Sequence, residues 1–81
     1  MILIKPLMTE KAVKMIELEN KIAFLVSRNS NKKGIKKEFE STFEAKIDSI
    51  NIMIRKNQKI AFIKLKPESN AANVATKLGV M

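Results

Sequence analysis

A change of hydrophobic period at Ala45 limits what this chain can fold into. Upstream of it Ile35, Phe39 and Phe43 recur every fourth residue, a greasy stripe along one side of a helix that opens near Asn31. Downstream, Ile50, Ile52 and Ile54 alternate with Ser49, Asn51, Met53 and Arg55, which is the pattern of a strand with one buried and one polar face. A helix feeding directly into such a strand is one half of a βαβ unit, and the chain supplies the other half just before it.

Residues 21–28 are apolar on both sides, with Ile22, Phe24 and Val26 against Ala23 and Leu25, so they predict an interior strand covered on both faces. Residues 58–66 read the same way, with Ile60 and Phe62 against Ala61, Ile63 and Leu65. The two strands flanking the basic helix should be parallel, joined by a right-handed crossover. A short turn at Lys56-Asn57 makes the next strand antiparallel. Since residues 58–66 are apolar on both faces and residues 46–55 on only one, the last strand should insert between the parallel pair and leave 46–55 at an edge.

The remaining elements follow from their end signals. Ile2, Leu3 and Ile4 suit a short edge strand stopped by Pro6. Thr9 reads as the N-cap of a helix over about residues 10–18, with Glu10 in its first turn, Ala12, Val13, Met15 and Ile16 on its apolar side, and Asn20 at its exit. Ser69 or Asn70 should cap a last helix carrying Ala71, Val74, Ala75 and Leu78, with Gly79 ending it. The expected fold is a single α+β domain of split βαβ type. Its largely antiparallel sheet has three to four strands, in the order (β)-α-β-α-β-β-α.

Composition removes most chemistry. There is no histidine to act as a general base and no cysteine to act as a nucleophile or thiolate ligand. Two glycines, Gly34 and Gly79, cannot build a phosphate-cradling loop. No catalytic residue, metal or cofactor is therefore expected. The absence of disulfides suits a reducing cytosol, and the N-terminal MILIKPLM lacks the layout of a signal peptide. The four phenylalanines fall in apolar strands (Phe24, Phe62) or on the helix stripe (Phe39, Phe43). All four are expected in the core, which leaves no aromatic face on which RNA bases could stack.

Charge points elsewhere. Sixteen Lys and Arg against eight Asp and Glu give a net charge of +8 in 81 residues, the footprint of a phosphate-rich partner. The charge is also placed against local helix energetics. Lys32, Lys33, Lys36 and Lys37 crowd the N-terminal half of the basic helix while Glu38, Glu40 and Glu44 lie toward its C-terminal end, the reverse of what the macrodipole favours. With like-charge pairs at 32/36 and 33/37, the arrangement opposes the isolated helix by about 2 kcal/mol. A polyanion on these lysines would turn that penalty into affinity. Arg28, Arg55, Lys56, Lys59, Lys64 and Lys66 add charge at strand ends and on the last strands, and Asn51 and Asn20 are the polar groups able to read a base.

Six segments in order, PLMTEKA (6–12), NKIAFLV (20–26), IKKEFESTF (35–43), KIDSIN (46–51), KIAFIKLKP (59–67) and AANVATKLGVM (71–81), resemble the universal large-subunit ribosomal protein number twenty-three family in its short archaeal-like form. The resemblance covers essentially the whole chain. It implies a structural protein of the cytoplasmic ribosome that binds domain III of large-subunit ribosomal RNA beside the polypeptide exit tunnel. Implied partners are neighbouring ribosomal proteins there and nascent-chain factors such as the signal recognition particle, without membrane insertion.

The family's basic helix start matches Lys32, Lys33, Lys36 and Lys37, and its strand-end asparagine matches Asn51. The resulting RNA-binding candidates are Lys11, Asn20, Arg28, Lys32, Lys33, Lys36, Lys37, Asn51, Arg55, Lys56, Lys59 and Lys64. Met8, Thr9 and Glu10 match the segment implied to dock factors. Bacterial members carry a long basic hairpin tip where this chain has only Lys56-Asn57, so the resemblance does not extend to contact with the nascent chain inside the tunnel. A rival reading from the residues alone is a small basic interaction module that recruits a strand at its sheet edge, residues 50–54.

Overall fold

A computed structural model of the chain describes residues 3–78. Its elements are β1 (Leu3–Pro6), α1 (Glu10–Glu19), β2 (Lys21–Val26), α2 (Lys32–Phe43), β3 (Ile47–Arg55), β4 (Gln58–Leu65) and α3 (Ala71–Lys77). The sheet order is β1-β2-β4-β3, with every neighbouring pair antiparallel. The two strands that are apolar on both faces, β2 and β4, are the central ones, and β3 takes an edge as expected. Ile2 and Gly79, expected in the first strand and at the end of the last helix, lie outside the described residues.

Alternation along the central strands divides the interior into two cores. Ile22, Phe24 and Val26 of β2 and Ala61, Ile63 and Leu65 of β4 face the larger one, where Ile35 and Phe39 of α2 and Ala71, Val74 and Ala75 of α3 pack on them. Three rings fasten α2 to β2: Phe24 meets Phe39 edge-on at 5.9 Å between centroids, and Phe43 lies 4.8 Å from Phe39 and 6.2 Å from Phe24. The opposite face has a small core of Ala12, Ala23 and Ile60, with Leu7, Met15 and Phe62 half-buried around it.

Two sequence expectations change here. The stripe Ile50, Ile52, Ile54 is not uniformly buried: Ile50 is covered, Ile52 half-covered, and Ile54 is 63 % exposed. An irregularity between Ile47 and Ser49 shifts the strand's phase, so Ile47 and Ile50 both face the core although three residues apart, and the distal half of β3 runs past the helices. Phe62 is the second correction. It is only half-buried, because its side of the sheet is covered by α1 alone.

Capping explains where the helices start and stop. The Thr9 hydroxyl accepts from Ala12 N at 3.2 Å, the Asn31 side chain from Gly34 N at 2.8 Å, and the Asn70 side chain from Ala72 N at 2.8 Å. Asn70, not Ser69, therefore caps α3, and the Ser69 hydroxyl instead accepts from Lys46 N at 2.9 Å. α1 and α2 both end on a left-handed residue, Asn20 (φ 56°) and Glu44 (φ 53°). Lys56 and Asn57 are also left-handed (φ 50° and 63°), as a two-residue hairpin turn between right-twisted strands requires.

Asn20 is a structural clamp. Its amide nitrogen donates to the carbonyls of Leu65 (3.3 Å), Lys66 (3.3 Å) and Ser69 (2.9 Å), and its amide oxygen accepts from Ala71 N at 2.8 Å. The side chain thus holds the end of β4 and the start of α3 against the exit of α1. Asn20→Ala should destabilise the free protein by about 2–4 kcal/mol, through broken hydrogen bonds and an alanine forced into the left-handed region. Asn20→Gly should cost less, since glycine accepts that conformation. Urea unfolding midpoints in the order wild type, Gly, Ala are expected, and equal midpoints would show that the clamp carries no stability.

Candidate nucleic-acid interface

The basic half of α2 is built as its sequence implies. Asn31 caps the first turn, Ile35 and Phe39 are fully buried, and this fixes the rotation of the helix so that Lys32, Lys33, Lys36 and Lys37 all point outward and are exposed. None of the four makes an ion pair among the described residues. No acidic residue lies in the first turn. Lys32, Lys33 and Lys36 border a shallow depression of about 340 Å³ shared with Ile47, Asp48, Ser49 and Ile50 of β3. The reversed carboxylates have partial compensation, because Glu40 Oε2 accepts from Ile47 N at 3.1 Å and ties the end of α2 to the start of β3.

A second basic cluster forms on the α1 face. Lys11, Lys21, Arg55, Asn51 and Thr9 surround a groove of about 580 Å³ whose floor is Leu7, Ala12, Met15, Ala23, Met53, Ile60 and Phe62. Sequence reasoning does not single out Lys21 or Phe62. Lys21 sits at a strand start, and its alternation with Ala23, which pairs with Phe62, puts it on this face. Phe62 lies in a strand apolar on both sides, a pattern that does not reveal which side lacks a cover.

The other candidates separate from these clusters. Asn20 is held by the bonds described above, so its amide is not free to read a base. Lys59 is half-buried and its ammonium donates to the backbone carbonyls of Ser30 and, at 3.5 Å, Arg28. It braces the turn leading into α2. Arg28 and Lys56 are exposed in that turn and at the hairpin tip, which the register places at the same end of the sheet, with Val26 opposite Lys59 and Arg55 opposite Gln58. Lys64 borders a depression lined also by Glu17, Glu19 and Asp48, a poor setting for an anion. Met8 and Glu10 are exposed beside the Thr9 cap, and Glu10 pairs with Lys14 at 3.9 Å on the helix surface.

The chain is similar to known proteins over nearly its whole length. The family model described as ribosomal protein L23 matches residues 1–76. Large ribosomal subunit protein uL23 of Thermoplasma acidophilum is 46 % identical over 79 residues, covering 98 % of this chain and 94 % of the relative. The uL23 proteins of Methanothermobacter thermautotrophicus (41 % over 80 residues, 98 % and 93 % covered) and Picrophilus torridus (42 % over 78 residues, 96 % and 95 % covered) are similar over the same extent.

Two lysines that look alike in the sequence should behave oppositely. Lys59→Gln replaces the charged donor shared by two turn carbonyls with a shorter neutral one and should lower stability by about 1 kcal/mol, whereas Lys32→Gln relieves an unfavourable helix end and should be neutral or slightly stabilising. Denaturant midpoints of the two free variants check this, and identical shifts would show that Lys59 does not brace the turn.

Proposed function

This chain belongs to the ribosomal protein L23 family, and from that premise we propose that it binds domain III of large-subunit ribosomal RNA beside the polypeptide exit tunnel and offers Met8, Thr9 and Glu10 to nascent-chain factors. Membership makes it a structural protein of the large ribosomal subunit, not an enzyme, with its place on the cytoplasmic ribosome. No helix among the described residues is long and apolar enough to cross a membrane.

The observation that carries RNA binding is the first half of α2. Four exposed lysines without ion-pair partners among the described residues sit at the positive end of a helix, a costly arrangement for the free protein and a favourable one beside phosphates. Replacing Lys32, Lys33, Lys36 and Lys37 together by Gln should weaken binding to large-subunit ribosomal RNA and flatten its salt dependence, by about 0.7–0.9 logarithmic unit of slope for each phosphate no longer neutralised. The free fold should be unchanged or firmer. Unchanged affinity and slope would reduce the four lysines to a solvated face.

A second reading has one observation in its favour: β3 is an open edge whose Ile54 and Met53 are exposed. An interaction module pairing a partner strand there would bind with little salt sensitivity, so the same titration separates the two readings.

The docking proposal rests on the resemblance of the segment around Glu10 and on its exposure. Because Glu10 pairs with Lys14 across a solvent-exposed turn, Glu10→Gln should cost under about 1 kcal/mol of stability. Subunits carrying it should assemble normally yet bind the signal recognition particle more weakly, with a deficit that shrinks as salt rises. Normal factor binding with a lowered melting temperature would leave Glu10 only a helix-end role.

A further inference from the structure

The groove between α1 and the β2-β4-β3 face is not used by the basic helix, and its chemistry is specific. Its floor holds a half-exposed aromatic ring, Phe62, with Asn51 beside it on β3 and the small Ala23 beside it on β2, as the register dictates. Ala23 is too short to shield the ring, which keeps one side of it open. The Asn51 amide is exposed and has no hydrogen-bond partner among the described residues. Among the described residues Lys11 and Arg55 stand on the rim without ion-pair partners, Lys21 pairs with Glu19 alone at 3.5 Å, and no carboxylate lines the groove.

We propose that this groove takes one unstacked nucleotide of the bound RNA: its base lies against Phe62 between Met15 and Met53, its edge meets Asn51, and its phosphates meet Lys11 and Arg55. The inference rests on the RNA-binding reading and goes beyond it by naming a base pocket. Recognition of an unpaired nucleotide needs a π face or apolar surface to stack on, a polar group in reach of the base edge, and cations for the backbone, and the groove supplies all three. Its volume of about 580 Å³ is within the roughly 300–1,000 Å³ of small-ligand clefts. A peptide fits less well. Beneath Phe62 the strands β2 and β4 are central and their backbone groups are already paired in the sheet, so an incoming strand would find main-chain partners only along the outer edge of β3 and not over the ring.

The test uses the full chain and a transcript of archaeal large-subunit ribosomal RNA. Phe62→Leu keeps apolar volume but removes the ring. It should weaken binding about tenfold, the scale of one missing base–aromatic stack, and leave the salt slope unchanged because every lysine and arginine that meets a phosphate is still present. The chain contains no tryptophan, so Phe62→Trp places a single fluorophore on the groove floor, and its emission should be quenched when the transcript binds. The quenching does not depend on how Phe62→Leu affects folding. If wild-type protein binds the transcript with steep salt dependence while Phe62→Leu binds equally well and Trp emission is unmoved, the base pocket is overturned and RNA binding through α2 stands. Loss of affinity for a protein factor in that case would assign the groove to a protein ligand. If wild-type protein shows no salt-dependent binding, both the pocket and the reading beneath it fall.

Discussion

The insertion of β4 between β2 and β3 is the constraint on which the rest of this structure depends. β4 has apolar side chains on both faces, and burying both requires a strand on each side of it and helices above and below. Once β4 is central, β2 and β3 must run parallel to one another, and the only chain available to connect them is α2. The helix is thereby pressed on the sheet through Ile35, Phe39 and Phe43, and its opposite side, with four lysines, must face outward. The basic face is thus a consequence of how the core is closed.

The same closure is unequal on the two sides. A four-stranded sheet is about 19 Å wide and a helix about 10 Å, so α2 and α3 together can cover one face while α1 alone leaves part of the other bare. The bare strip holds Phe62, Met53 and Asn51. A small protein meant only for stability would gain by covering it, at about 25 cal/mol per Å² of apolar surface. Its persistence beside a rim of cations gives the surface a chemical character that exposed apolar residues scattered singly do not have.

Side chains that share a charge or an amide divide sharply by role. Lys59 and Lys32 carry the same group, yet one braces the turn at residues 27–31 and the other is exposed without an ion-pair partner among the described residues. Asn20 and Asn51 divide likewise: the first bonds four backbone groups across the junction of α1, β4 and α3, and the second is exposed at a groove. A rigid frame and a free surface are both needed if a chain of 81 residues is to hold a polyanion without being deformed by it.

Local pattern by itself determined the elements, their order and the strand arrangement, because hydrophobic period, caps and two-sided strands are properties of neighbouring residues. Thr9, Asn20, Asn31 and the turn at Lys56-Asn57 were legible for that reason, as was the outward charge of α2. What only the tertiary structure decided depends on residues far apart in the chain. The half-exposure of Phe62 follows from having one helix on its face. The shifted phase of β3 follows from an irregularity in pairing with β4, and the engagement of Asn20 and Lys59 from carbonyls 45 and 29 residues away. Burial and hydrogen bonding are set by what packs opposite a residue, and no periodicity within a strand or helix carries that information.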